Sequence, residues 1–283
     1  MKKDKTHIHW YPGHIAKAER KLKEQLSLVD AVIEVLDARI PLSSGYDNIA
    51  GLLKDKPRLI LFNKSDLADK TKLKEFASKI EQNSGFPVIF SDAKNSKDLN
   101  LIIKKAVELS EPRIQAIMQK GLLRRPARVM VVGMPNVGKS SIINKLTRSS
   151  KTKTGAKAGV TRQQQWVRIN PQLDLLDTPG IIPMKQDDQA RAQKLAFVNS
   201  VSENAYSNNI VAEQLLKLLA DKYPQIVKDY YKLNDEITLE NISTSRNWIK
   251  TGGEPDIERT SIYVLRDFRE GKIGRFVLDD LDD

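Results

Sequence analysis

Cysteine is absent from the 283-residue chain. That excludes disulfides and every thiolate-ligated zinc or iron–sulfur site, and it suits a reducing cytosol. Long hydrophobic runs are also missing. None approaches the roughly 20 apolar residues of a bilayer-spanning helix. The N-terminus is basic but has no apolar signal core, so neither a membrane span nor secretion is expected. Histidine is scarce, at His7, His9 and His14 only, and without a thiol that spacing makes a poor metal cluster. Acid is in deficit, with 36 Asp and Glu against 47 Lys and Arg for a net charge of +11. Such a balance favours a polyanion such as RNA, although charge by itself fits a merely basic soluble enzyme equally well. What is present is ordinary for a soluble globular protein: 40% hydrophobic and 29% charged residues, in a length suited to one large domain or two modest ones. There is no internal repeat and no low-complexity segment.

Residues 2–23 form a basic arm (Lys2, Lys3, Lys5, Lys17, Arg20, Lys21, Lys23), with Pro12-Gly13 marking a turn before a helix. Apolar runs at 31–36, 58–62 and 86–90 read as buried strands, the third weakened by Pro87. Helical patterns at about 71–82 and 97–109 lie between or after them. The alternation predicts a mostly parallel sheet covered by helices. Residues 110–126 read as a connector. A strand over 127–132 then runs into a Gly-rich loop and a helix from Lys139, followed by a polar loop over 149–163 and strands at about 164–169 and 172–177. After Pro183 the pattern becomes helical. The expected division is an α/β domain over 1–183, including the basic arm, and a helical C-terminal domain over 184–283 with two helices after residue 222 and an acidic end.

The chemistry is carried by three motifs. Gly133-Met134-Pro135-Asn136-Val137-Gly138-Lys139-Ser140 is G-x-x-x-x-G-K-S between a predicted strand and a predicted helix. Glycine lets backbone N–H groups turn towards phosphate oxygens, and the helix N-terminus adds its positive dipole end. Pro135, Asn136, Val137 and Gly138 then line the phosphates, Lys139 reaches the β- and γ-phosphates, and Ser140 ligates Mg²⁺. Asp177-Thr178-Pro179-Gly180 closes a later strand; Asp177 is placed to hold Mg²⁺ and the Gly180 N–H to meet the γ-phosphate. Thr161, in the loop between, is the candidate hydroxyl that closes on the ion. Asn63-Lys64-Ser65-Asp66 follows the strand at 58–62. The Asp66 carboxylate can accept both the ring N–H and the exocyclic amine of guanine, which discriminates GTP from ATP; Lys64 packs along the base and Asn63 completes the motif. Ser91-Asp92-Ala93 occupies the place of the second base loop, with Asp92 and Ala93 at the base. Asn136 stands where potassium-dependent GTPases carry an asparagine, so K⁺ is a possible second cation beside Mg²⁺; the alternative is an ordinary loop asparagine.

In ordinary GTPases the phosphate loop precedes N-K-x-D. Here residue 63 precedes residue 133. Joining the old termini and opening a new break keeps the same sheet, and such breaks are tolerated because domain termini often lie close together. The fold class expected is therefore a circularly permuted P-loop GTPase of the α/β type with a C-terminal helical domain. The new break follows Gly180, so the γ-phosphate-sensing segment leads directly into the helical region, which favours a conformational switch.

The chain resembles the circularly permuted bacterial GTPases of the ribosome biogenesis GTPase A type. The likeness spans nearly the whole sequence: Trp10-Tyr11-Pro12-Gly13-His14, Asp37-Ala38-Arg39-Ile40-Pro41, Asn63-Lys64-Ser65-Asp66, the phosphate loop, Gln164-Gln165-Trp166, and Asp177-Thr178-Pro179-Gly180. Ala158 departs from the proline expected before Gly159-Val160-Thr161, and Ser91-Asp92-Ala93 is a loose version of its loop. Relatives with a zinc module are disfavoured by the lack of cysteine. Those with an N-terminal OB-fold are disfavoured because the strands begin near residue 31. The resemblance implies a GTP-hydrolysing switch for late assembly of the large (50S) ribosomal subunit, a monomer in the cytoplasm that binds GTP and GDP and engages the 50S precursor and 23S rRNA. It also implies that His14 replaces the water-orienting glutamine of Ras-like enzymes, whose position is Ile181 here; the alternative is that His14 packs at a helix start or contacts RNA. Two other functions remain open: a nucleotide-gated RNA-binding module with incidental hydrolysis, and a permuted GTPase acting on the small subunit or on tRNA.

Overall fold

A computed structural model describes residues 20, 22–46, 49–54, 56–92, 98–149, 166–176, 180–181 and 188–281. Seven strands form one sheet: β1 (Ala31–Asp37), β2 (Arg58–Asn63), β3 (Val88–Ser91), β4 (Ala127–Gly133), β5 (Trp166–Asn170), β6 (Leu173–Leu176) and β7 (Gly180–Ile181). Their order is β3-β2-β1-β4-β6-β5, with β7 also pairing β4. Among the described residues only β5 runs antiparallel, against β6. Every residue of β1, β2 and β6 is buried. That is the signature of parallel strands covered on both faces, and it explains why β1 and β2 read as mainly apolar runs without strict alternation.

The first half contributes α1 (Ile49–Leu53), α2 (Lys70–Ser84), α3 (Asp98–Gln119) and α4 (Lys139–Ser149). α2 starts where the Asp69 carboxylate accepts the Thr71 and Lys72 N–H groups, and stops at Gly85 in left-handed backbone, φ 71°. α3 differs from the sequence expectation. It continues to Gln119 through Pro112, where a connector from residue 110 is expected. Pro112 faces solvent, while Ser110 and Ile114 on either side are buried; tertiary packing of that face outweighs the loss of one backbone hydrogen bond. β3 begins after Pro87, as a proline at its edge requires.

The C-terminal region is α5 (Gln189–Phe197), α6 (Asn208–Lys222), α7 (Pro224–Tyr231), α8 (Leu239–Ser245) and α9 (Ile257–Arg269). Three helices follow residue 222 where two are expected. α9 buries Thr260, Ser261, Val264, Leu265, Asp267 and Phe268, one stripe at helical spacing. The acidic end is not a solvated tail. Val277, Leu278 and Asp279 are buried, and Asp279 Oδ2 accepts the N–H groups of Leu42 and Ser43 at 2.8 and 2.9 Å.

Parallel register places the functional segments together. Asp37 lies beside Asn63 in the β1–β2 pair, and Asn63 beside Ser91 in the β2–β3 pair. Gly133 ends β4 beside Ile181 of β7. These are the C-terminal ends of the strands, the edge at which open α/β sheets bind ligands.

Candidate nucleotide site

The phosphate loop leaves β4 at Gly133 and enters α4 at Lys139. Two glycines there are sterically required. A Cβ on Gly133 would lie 2.5 Å from the Val35 carbonyl oxygen, and one on Gly138 would lie 2.0 Å from Asn63 Nδ2; their φ angles are +151° and +103°. Asn136 also adopts left-handed backbone, φ 57°, which asparagine tolerates better than most residues. Met134 and Val137 are fully buried, Pro135 is half-buried, and Asn136 and Ser140 are exposed. The loop is therefore anchored from beneath while its polar side remains accessible.

Lys139 is buried to 7% exposure, and its ammonium donates to the Met134 carbonyl at 2.6 Å. Burial pushes its pKa down to about 8. The amine is thus folded into its own loop, in a place where phosphate charge would favour the protonated form.

The Asn63–Asp66 motif is joined to this loop directly. Asn63, 1% exposed, donates from Nδ2 to the Val137 carbonyl at 2.7 Å. Its Oδ1 is buried with no hydrogen-bond partner among the described residues. Lys64, in left-handed backbone at φ 59°, donates to the Asn136 carbonyl at 2.9 Å and to Asp37 Oδ2 at 2.8 Å. Asp66 is half-buried in the 3₁₀ turn Ser65–Leu67. Ser65 Oγ donates to the Ser91 carbonyl at 3.1 Å, and Lys145 of α4 donates to the Asp92 carbonyl at 2.9 Å. The Ser91–Asp92 segment is therefore tied both to the Asn63–Asp66 motif and to the helix that follows the phosphate loop.

Behind Lys64 stands a buried pair to which the sequence assigned no role. Asp37 accepts from Arg39 Nε at 2.9 Å and Nη2 at 2.8 Å. Burial would raise the Asp37 pKa, but Arg39 and Lys64 override it and hold the carboxyl well below the usual range. Arg39, 2% exposed, lies over the Phe268 ring at 5.4 Å and donates to the Arg269 carbonyl at 3.4 Å. The Leu278 N–H donates to the Arg39 carbonyl at 2.7 Å. A second connection runs from the phosphate loop: Asn136 Nδ2 donates to the Asn199 carbonyl at 2.7 Å, just beyond α5. Asn199 and Lys145 carry no sequence signal, because each acts through a backbone carbonyl or a generic amine. Arg39 had one, in the Asp37-Ala38-Arg39 string.

Of the residues predicted for the site, Asn63, Lys64, Asp66, Asp92, Pro135, Asn136, Val137, Gly138, Lys139 and Ser140 come from segments gathered at this edge, and the Gly180 backbone pairs with Val132 beside the loop. His14, Ala93, Thr161 and Asp177 lie outside the described residues.

Comparison with known proteins agrees. The family model described as "50S ribosome-binding GTPase" matches residues 128–244. The chain is 38% identical over 272 residues to the ribosome biogenesis GTPase A of Bacillus licheniformis, covering 94% of this chain and 96% of that protein. To the protein of the same name from Thermotoga maritima it is 32% identical, covering 95% and 92%. The GDP-bound structure of T. maritima YlqF superposes with a TM-score of 0.65 at 28% identity, covering 93% of this chain and 100% of that one. The GNP-bound form gives 0.64, again at 28%, covering 94% and 99%.

Proposed function

We propose, from the premise that the chain belongs to the ribosome biogenesis GTPase A family, that this GTPase is a switch for late large-subunit assembly. It engages the 50S precursor and 23S rRNA in its GTP state, as a monomer in the cytoplasm. The observation that carries the reading is the 2.7 Å contact between Asn63 and the Val137 carbonyl. It makes one nucleotide site from two motifs whose order along the chain is reversed.

In this reading Asp66 accepts the guanine edge, with Asn63, Lys64, Asp92 and Ala93 around the base. Pro135, Asn136, Val137 and Gly138 present backbone to the phosphates, and Lys139 leaves the Met134 carbonyl for phosphate oxygens. The Gly180 N–H meets the γ-phosphate, and the Thr161 hydroxyl closes on Mg²⁺. The donor set Ser140, Thr161 and Asp177 is all hard oxygen and suits Mg²⁺, and the exposed Ser140 beside a buried Lys139 fits that role. When bound, Mg²⁺ neutralises charge on the β- and γ-phosphates. Asn136 has its amide N–H committed to Asn199, so its side-chain oxygen is the atom it offers K⁺.

Ile181 cannot orient a water, and His14 is assigned that task. A neutral or protonated imidazole is accessible near its ordinary pKa of ~6.5. His14→Ala is expected to keep GTP and 50S binding and to lose most of the subunit-stimulated rate, within the ~10²–10⁴-fold range of a positioned acid–base group. Full stimulated turnover in single-turnover assays would remove His14 from catalysis.

A switch needs a path from the nucleotide to the helical C-terminal region, which in this reading contacts the rRNA. The Asn136–Asn199 contact supplies one from the phosphate loop, and the Arg39–Arg269 contact a second from the buried pair behind Lys64. The test is co-sedimentation of the chain with separated 50S and 30S subunits in GDP, GTP and a non-hydrolysable analogue. The expected result is pelleting with 50S only, strongest with the analogue. Equal pelleting in GDP, or preference for 30S, would overturn the reading.

A further inference from the structure

The edge of the sheet opposite the nucleotide carries a second concentration of positive charge. β1 has seven residues, which at ~3.3 Å per residue puts its two ends about 20 Å apart. At its beginning, a cavity of about 300 Å³ is lined by Lys23, Leu26, Ser27, Leu52, Leu53, Lys54, Lys56 and Arg113. Four of these residues are cationic and none is acidic.

Among the described residues, the buried carboxylate beside this cluster is already committed. Asp30 is fully buried and pairs with Arg125 through two bonds of 2.7 and 2.8 Å. It also pairs with Arg113 Nε at 3.2 Å and accepts the Arg128 N–H at 2.8 Å. Lys56 finds no carboxylate among the described residues; its ammonium donates to the Val29 carbonyl at 2.6 Å. Burial, with the Arg113 and Arg125 guanidiniums beside it, pushes the Lys56 pKa below its ordinary value despite Asp30. Lys23 and Lys54 are exposed and form no ion pair among the described residues. Three cations thus surround one carboxylate, with two further lysines at the rim. Holding like charges together in a partly desolvated place is unfavourable unless an anion completes the set.

The floor of the cavity is apolar and preformed. Leu26, Leu52 and Leu53 are buried core residues, and Lys54 and Lys56 follow closely on the last two of them. Nothing in the nucleotide chemistry uses this edge.

We propose that this pocket is a second anion site which takes backbone phosphate of RNA, with Lys23, Lys54, Lys56 and Arg113 as its ligands. It rests on the proposed rRNA function and places a contact at the end of the sheet opposite the nucleotide. Phosphate contacts of this kind position a protein without reading sequence.

The test compares the full chain with a Lys23→Gln/Lys54→Gln double variant, whose changed side chains are exposed, and separately with Lys56→Met, which keeps the alkyl stem. Binding to a protein-free 23S rRNA transcript is measured across a salt series, with GTP affinity as a control for folding. The double variant is expected to keep GTP affinity, lose roughly tenfold in RNA affinity, and show a salt slope shallower by about 2, one per phosphate contact. As a measurement that needs no variant, RNA is expected to protect Lys23 and Lys54 from acetylation in the wild-type protein. Wild-type binding with an unchanged slope in both variants and no protection would overturn the proposal alone. Loss confined to whole 50S particles, with transcript binding unchanged, would overturn it in favour of an acidic protein partner. A wild-type chain that binds neither transcript nor 50S would instead bring down the rRNA reading on which it rests.

Discussion

Lys64 touches three things that matter: the Asn136 carbonyl, the Asp37 carboxylate and, in the proposed complex, the base. Its position is therefore set from behind, by Asp37 and Arg39. Asp37→Asn would leave a buried guanidinium without its anion and Lys64 without its anchor. Removing one partner of a buried pair commonly costs about 3–5 kcal/mol, so both a lower urea midpoint and roughly tenfold weaker GDP and GTP binding are expected. Wild-type affinity and midpoint would show that Lys64 needs no such support. Lys139 makes a prediction about pH. Its amine sits near pKa 8 in the nucleotide-free protein, and phosphate oxygens would raise that value. Binding is then strongest below about pH 8 and weakens as pH rises past it, because each complex formed there must take up a proton. Calorimetry near pH 9 in buffers of different ionisation enthalpy should show that uptake; binding with no proton exchange would mean Lys139 stays charged throughout.

The elements that were legible in the sequence are those whose pattern is local. β1, β2 and β4 are mainly apolar runs, with Glu34 inside β1 and Arg128 inside β4, and the turn from β4 to α4 is written in glycines that sterics demand at positions 133 and 138. What was not legible depends on contacts far along the chain. α3 survives Pro112 because its Ile114 face is buried, a fact that no local propensity holds. The final residues look like a solvated acidic end, yet Asp279 caps the turn at Leu42 and Ser43, receives the Ser43 hydroxyl at 2.6 Å and pairs with Lys194 at 3.1 Å. Arg191 of α5 reaches the Ser43 carbonyl at 2.9 Å and also the Gly45 carbonyl. The loop after β1 is thus clasped by α5, α9 and the tail. Asp279→Ala would strand the buried Ser43 N–H and the partly buried Leu42 N–H, at roughly 1–3 kcal/mol for a buried group. A stability loss of about 3 kcal/mol is expected in urea unfolding, without loss of the nucleotide motifs themselves; an unchanged midpoint would mean the tail is only resting on that loop.

For the molecule as a whole, permutation makes the helical region follow β7 while leaving the sheet edge intact. The base-reading motif comes from the first third of the chain and the phosphate loop from the middle, and parallel register brings them together at the ends of β2 and β4. The helical region then closes on both, through Asn199 to the phosphate loop and through Phe268 and Arg269 to Arg39. The whole account depends on Asp66 reading the base in a site completed by a loop that comes later in the sequence. The most direct measurement is the affinity of Asp66→Asn for guanosine and xanthosine triphosphates. An amide at this position offers a donor where the carboxylate offered only acceptors, so guanine binding should fall and xanthine binding rise until the preference reverses. A variant that still prefers GTP as the wild type does would contradict the account, because the residue that begins the permuted order would then have no part in choosing the base.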